Sequence, residues 1–151
     1  MPELSVETGN IPLFEGISND ELNRILKAAL VDEFPSGRVL FNEGSIVGHV
    51  MYVIISGEVE ILRRDPAGNN VILATLKQGE FFGEMSLFDN QKRSATARVK
   101  SPARLLMLTK TTFDKLISSD PTVVNRLLLV FIRTLSERLR RTNEMVAALH
   151  K

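Results

Sequence analysis

In the run Phe82-Gly83-Glu84-Met85-Ser86-Leu87-Phe88, followed by Arg93-Ser94-Ala95-Thr96-Ala97, a glycine, a carboxylate and an arginine stand near enough in sequence to share one small ligand. Gly83 lets the backbone come close to such a ligand, and the amides opening a short helix near Glu84 can turn unpaired N–H groups toward an anion. Arg93 supplies a permanently charged planar fork that fits two phosphate oxygens at once, which a lysine cannot do. Glu84 would repel that phosphate unless it accepts a hydrogen bond from a neighbouring hydroxyl. A 3′,5′-cyclic nucleotide offers both groups, a phosphate for Arg93 and a free ribose 2′-OH for Glu84, and the two side-chain charges then balance around it. Glycine turns before helices are common; the full string is what makes the pattern specific.

Several elements must hold these residues. Ser18-Asn19-Asp20-Glu21 has the spacing of a capping box, with Leu22, Ile25, Leu26 and Ala29 on one helical face behind it. From Val31 to Leu108 the chain breaks into short β-rich runs separated by glycine, which predicts strands at 39–41, 50–56, 59–64, 71–76, 95–100 and 104–108 and an antiparallel barrel or sandwich. Asp65-Pro66-Ala67-Gly68-Asn69 reads as a surface hairpin turn, and Gly37, Gly44, Gly57 and Gly79 as further turn residues. Thr111 or Thr112 caps a predicted short helix through Ser118, and Asp120-Pro121 opens a long one. Along that long helix Leu128, Ile132, Leu135, Leu139, Thr142, Val146 and Leu149 recur at alternating intervals of four and three, the seam of a two-stranded coiled coil. The bland alternative is a helix packed back on its own barrel.

Composition narrows the classes of function. The chain has 151 residues, 44% hydrophobic and 25% charged, the size and balance of one globular domain. A net charge of +1 provides no basic excess for nucleic acid, and Arg138, Arg140 and Arg141 are the only basic cluster. Without cysteine there is neither a disulfide nor a thiolate nucleophile. His49 and His150 are the only histidines and are not grouped as metal ligands, so no metal or cofactor is expected. Glu58 and Glu60 alternate beside Arg63 and Arg64, the pattern of a solvated sheet face, and no nucleophile has a matched base; an enzyme is not expected. No signal segment or membrane-spanning run is evident, so a cytoplasmic protein is expected.

The cassette, together with Gly37-Arg38-Val39-Leu40-Phe41-Asn42-Glu43-Gly44, Met51-Tyr52-Val53-Ile54-Ile55-Ser56-Gly57-Glu58-Val59 and Gly79-Glu80-Phe81-Phe82-Gly83-Glu84, resembles the cyclic nucleotide-binding domain of catabolite-activator-type bacterial regulators and of kinase regulatory subunits. The resemblance runs from about Leu13 to the C-terminus. It implies an α+β, mainly β, fold: an antiparallel double-stranded β-helix, or jelly-roll-like barrel, with an N-terminal helix and a long C-terminal helix. The expected organisation is a leader at 1–12, the cyclic nucleotide-binding barrel with its flanking short helices at 13–120, and a dimerisation helix of the same domain at 121–151.

The resemblance assigns the ribose to Glu84, the phosphate to Arg93 and its oxygens to the amides of Ser86 and Ser94, with Phe82, Gly83 and Met85 completing the ligand-binding set. Val71, Leu73, Arg138, Thr142 and Asn143 are the expected base pocket, with Ala74 a departure from the serine that some bacterial regulators carry. The implied ligand is cyclic AMP, favoured by the pair Thr142-Asn143, with cyclic GMP as the alternative because Ser94 follows Arg93. The expected function is a stand-alone sensor that homodimerises through its C-terminal helix and signals occupancy to an unidentified downstream protein, Leu87 and Phe88 passing the change to the final helices. The runner-up is the sensor of a transcriptional regulator without its DNA-binding output. Because the sequence ends at Lys151, no direct DNA binding is expected, and no membrane.

Overall fold

The computed structural model describes residues 11–46 and 48–150. Most of the expected leader, residues 1–10, lies outside the described residues; Ile11 is buried in the core and Pro12 begins a 3-10 turn, Pro12–Phe14. Helix α1 (Asn19–Ala28) opens with the predicted capping box. Ser18 Oγ accepts from the Glu21 N–H at 3.2 Å, and Glu21 Oε1 accepts from the Ser18 N–H at 3.1 Å. Leu22, Ile25 and Leu26 are buried on the predicted face.

Strands β1 (Leu30–Phe34), β2 (Val39–Phe41), β3 (Val50–Arg64), β4 (Asn70–Leu76), β5 (Phe81–Phe82) and β6 (Thr96–Thr109) form one antiparallel sheet. Its order is β1-β6-β3-β4, with β2 added to β6 and β5 to β3. The expected antiparallel roll with an N-terminal helix and a long C-terminal helix is thus present. The predicted strands 50–56 and 59–64 are a single strand, as are 95–100 and 104–108. Gly57 is the reason. It sits at φ +90° inside β3, and a Cβ there would lie 2.4 Å from the Pro102 carbonyl oxygen, so the two long strands cross in contact. Register shifts between Ile54 and Val59 absorb the bend as bulges. The expected turn at Gly57 is therefore a bulge that redirects β3 without ending it.

That bend lets one strand feed two cores. Met51, Val53 and Ile55 pack with the helices, whereas Tyr52, Ile54 and Val59 face the inside of the roll with Ala97, Val99 and Leu105. A strand buried on both faces reads as an unbroken apolar run, as 50–55 does. Strand β1 had no such signal, since most of its five residues are exposed.

Helix α2 (Lys110–Ser119) is capped by Thr109, whose Oγ1 accepts from the Thr112 N–H at 3.1 Å, so the cap lies two or three residues before the predicted threonines. Asp120 stands at the predicted N-cap position of α3 (Pro121–Leu149), with Pro121 in the first turn, but its carboxylate makes no cap. Instead it accepts from Arg24 Nε at 2.5 Å, tying α1 to the junction of α2 and α3. The first half of α3 buries Val123, Val124, Leu127 and Phe131 against the roll. Beyond Arg138 every residue of the helix is exposed. Of the predicted seam, Leu128 packs partly on the core, while Ile132, Leu139, Val146 and Leu149 are exposed. Among the described residues no helix is long and apolar enough to cross a membrane.

Candidate functional site

Gly83 turns the chain from β5 into a 3-10 turn, Glu84–Leu87. It adopts φ +77°, and a Cβ would sit 3.0 Å from both Arg93 Nη1 and the Val50 carbonyl oxygen, so glycine is needed for conformation and for close approach. Behind the turn, Leu87 is buried in the helix-side core. Phe88 packs edge-on against Phe113 of α2, with centroids 5.6 Å apart, and against Phe131 of α3 at 6.0 Å. The cassette therefore rests directly on both final helices.

A cavity of about 390 Å³ opens between this turn, the inside of the roll and α3. Phe82, Gly83, Glu84, Met85, Ser86, Arg93 and Ser94, the whole predicted ligand-binding set, line it. Three cationic side chains, Lys92, Arg93 and Arg138, face two acidic ones, Glu84 and Asp89, which leaves a small positive excess. That sign suits a singly charged anion.

Glu84 is 4% exposed. Burial pushes its carboxyl above the ordinary range, against its own backbone hydrogen bond and the charges of Arg138 and Arg93. Its direct partner is Arg138, whose Nη1 donates to Oε1 at 3.2 Å while Nη2 donates to the Phe81 carbonyl at 2.5 Å. Helix α3 thus reaches the cassette carboxylate through one guanidinium. Arg138 was expected at the base pocket; it lines the cavity, and the partner it holds is Glu84.

Arg93 comes from the segment that leads into β6, and its guanidinium lies against Gly83. Its backbone N–H donates to the Ser45 carbonyl at 2.8 Å, and its carbonyl accepts from the Gly44 N–H at 2.7 Å, fixing the segment between the cassette and β6. Nη2 donates to the carbonyls of Gly48 and Val50, the latter at 3.0 Å, and Nη1 donates to that of Gly83 at 3.4 Å. Burial lowers the Arg93 pKa, opposed by Tyr52 and Glu84, and a guanidinium stays charged regardless. The amide of Ser86, expected at a phosphate oxygen, donates to the Gly83 carbonyl at 3.2 Å.

The remaining base-pocket expectations fall elsewhere. Val71 and Leu73 are 43% and 54% exposed and do not line the cavity. Alternation puts Ala74 and Leu76 inward instead, and the register shift that pairs Ile61 with Ala74 and Leu62 with Ile72 leaves Leu73 as the extra residue of a bulge. Thr142 and Asn143 are exposed, one turn beyond Arg138; the Thr142 hydroxyl donates back to the Arg138 carbonyl at 3.0 Å. Phe41, Ile61, Leu76, Asp89, Gln91, Lys92 and Ala95, which had no expected role, also line the cavity. Inward alternation along β3 and β4 was the available signal for Ile61 and Leu76. Among the described residues, no three His, Asp or Glu side chains are grouped to hold a metal.

Residues 31–120 match the cyclic nucleotide-binding domain family. Over 149 residues the chain is 32% identical to the CRP-like cAMP-activated global transcriptional regulator of Mycobacterium tuberculosis, covering 99% of this chain and 63% of that protein. It is 35% identical over 126 residues to the Cyclic AMP receptor protein of Thermus thermophilus, covering 83% of this chain and 58% of the relative. The chain therefore spans about three-fifths of the length of these relatives. A crystal structure of a cyclic nucleotide-binding domain from Methylobacillus flagellatus superposes with a TM-score of 0.83 at 25% identity, over 96% of this chain and 81% of that one. With a six-stranded antiparallel roll, a glycine-turned cassette and a matching sequence over 31–120, the chain belongs to the cyclic nucleotide-binding domain family.

Proposed function

We propose that the chain is a cyclic AMP sensor whose C-terminal helix carries the signal. The observation that carries this reading is that Glu84 and Arg93 line one cavity together, with Ser86 and Ser94 beside them. Glu84 accepts from the ribose hydroxyl, Arg93 takes the cyclic phosphate, and the hydrophobic positions Ile61, Ala74 and Leu76 form the wall against which a purine packs. The phosphate exchanges with the backbone carbonyls that hold the Arg93 donors. Cyclic AMP is preferred over cyclic GMP because the relatives at 32% and 35% identity are named for cyclic AMP. Ser94, lining the cavity directly after Arg93, is the residue that would favour guanine instead.

Transmission follows from two contacts between cassette and helix. Phe88 packs on Phe131, with Leu87 buried in the same core, and Arg138 bonds Glu84, so a sugar hydroxyl at that carboxylate alters a bond made by α3 itself. The ligand biases the helix only by its difference in affinity between helix arrangements. The exposed seam Ile132, Leu139, Val146 and Leu149 pairs with a second copy, which also brings Thr142 and Asn143 toward the base at the dimer axis. A second reading, the sensor of a transcriptional regulator, is supported by the names of the relatives and by the share of their length this chain spans. The decisive variant is Arg93→Ala, expected to abolish nearly all nucleotide binding; unchanged affinity would remove the site assignment.

A further inference from the structure

Arg93 has a partner that the sequence motif does not name. Its guanidinium carbon lies 4.0 Å from the centroid of the Phe41 ring, over the ring face. Phe41 lines the cavity from β2, where its backbone pairs with Ala97 of β6. Tyr52 and Phe82, stacked at 5.0 Å with planes 8° apart, stand behind it at 6.1 and 6.2 Å. Both are buried. The Phe41 ring is thus a fixed surface rather than a free side chain.

The division of labour is geometric. The carbonyls of Gly48, Val50 and Gly83 engage N–H groups in the guanidinium plane and set where its edge points. A ring face under the plane restrains its tilt, which in-plane hydrogen bonds leave loose, and offsets part of the cost of burying the charge. We propose that Phe41 is a positioning residue for anion recognition, its ring face holding the Arg93 guanidinium flat so that its edge addresses the phosphate of a bound cyclic nucleotide. This rests on the cyclic nucleotide reading above. Ordinary core filling would need only a side chain of the right volume; positioning through the ring face needs the negative quadrupole of the ring.

Fluorinated phenylalanines separate the two, because successive fluorines remove the quadrupole while almost preserving shape. The chain carrying mono-, di- and trifluorophenylalanine at position 41 is titrated with cyclic AMP alongside Phe41→Leu and Phe41→Tyr. The dissociation constant is expected to climb with each fluorine. Phe41→Leu should weaken binding by roughly fivefold, the middle of the range for a partly desolvated cation over a ring, and Phe41→Tyr should restore it. A dissociation constant that stays flat across the fluorine series overturns the proposal, even if Phe41→Leu binds weakly. Should the wild-type chain bind neither cyclic AMP nor cyclic GMP, the functional reading fails, and the platform is judged by the Arg93 Nε–H resonance alone. A ring-current shift present in the wild type and lost in Phe41→Leu supports it; the same resonance position in both overturns it.

Discussion

Replacing Gly83 by alanine perturbs the site at its tightest point, and Gly68 provides the control. Both glycines hold positive φ, +77° and +86°, so alanine at either brings a left-handed strain of about 1 kcal/mol. In a chain of this size each kcal/mol lowers the melting temperature by roughly 2–4 °C. The two sites then differ. Nothing lies within 4 Å of a Cβ at Gly68, whereas one at Gly83 meets Arg93 Nη1 and the Val50 carbonyl at 3.0 Å each. Relief requires the guanidinium and that backbone oxygen to move by a few tenths of an ångström, and Arg93 is the group expected to hold the phosphate. Losing about half of a charge-assisted hydrogen bond, about 1.4 kcal/mol, weakens binding about tenfold. Calorimetric melting and isothermal titration with cyclic AMP read the two effects separately. Gly68→Ala should melt lower yet bind as the wild type does, and Gly83→Ala should melt lower still and bind more weakly. Equal affinities in the two variants would refute the link from Gly83 through Arg93 to the ligand.

Burial holds Glu84 above its ordinary value of 4.5, so between that value and the raised one the folded chain binds more protons than the unfolded chain, and stability falls as pH rises through the window. Glu84→Gln lacks this contribution, so the unfolding free energy of the wild type minus that of the variant should fall with rising pH there; a constant difference would show that burial does not raise the group. In the same window nucleotide affinity should drop as pH is lowered, because protonation turns the carboxylate into a neutral carboxyl that accepts more weakly from the ribose hydroxyl, which titrations at several pH values would detect. Leu139, 61% exposed on the seam, should when changed to glutamate convert a dimer into a monomer in sedimentation. A wild-type chain that already sediments as a monomer would remove the dimer from the account.

Local signals in the sequence carried most of the cassette. Gly83, Glu84 and Arg93 lie within eleven residues, and each has a chemistry that few other residue types can supply, so the pattern survives without knowledge of the fold. The capping box at Ser18 was legible for the same reason, being complete within four residues. Failures came where distant segments decide. Gly57 looks like a turn until Pro102 is known to lie across it, and Asp120 looks like a cap until Arg24, 96 residues away, takes its carboxylate. The bond from Arg138 to Glu84 spans 54 residues and joins two elements whose proximity no local pattern encodes. Leu73 was misplaced because the side chains of Ala74 and Leu76 are the ones that turn inward, and Leu73, left unpaired at a bulge, stays exposed with Val71.

Binding of a cyclic nucleotide in the cavity that Glu84 and Arg93 line is best measured on protein unfolded and refolded to strip co-purified nucleotide, then titrated with cyclic AMP and separately with cyclic GMP. Saturable binding of cyclic AMP at one site per chain is expected, tighter than that of cyclic GMP. Tighter binding of cyclic GMP would reverse the base assignment and point to Ser94; binding of neither would overturn the proposed function.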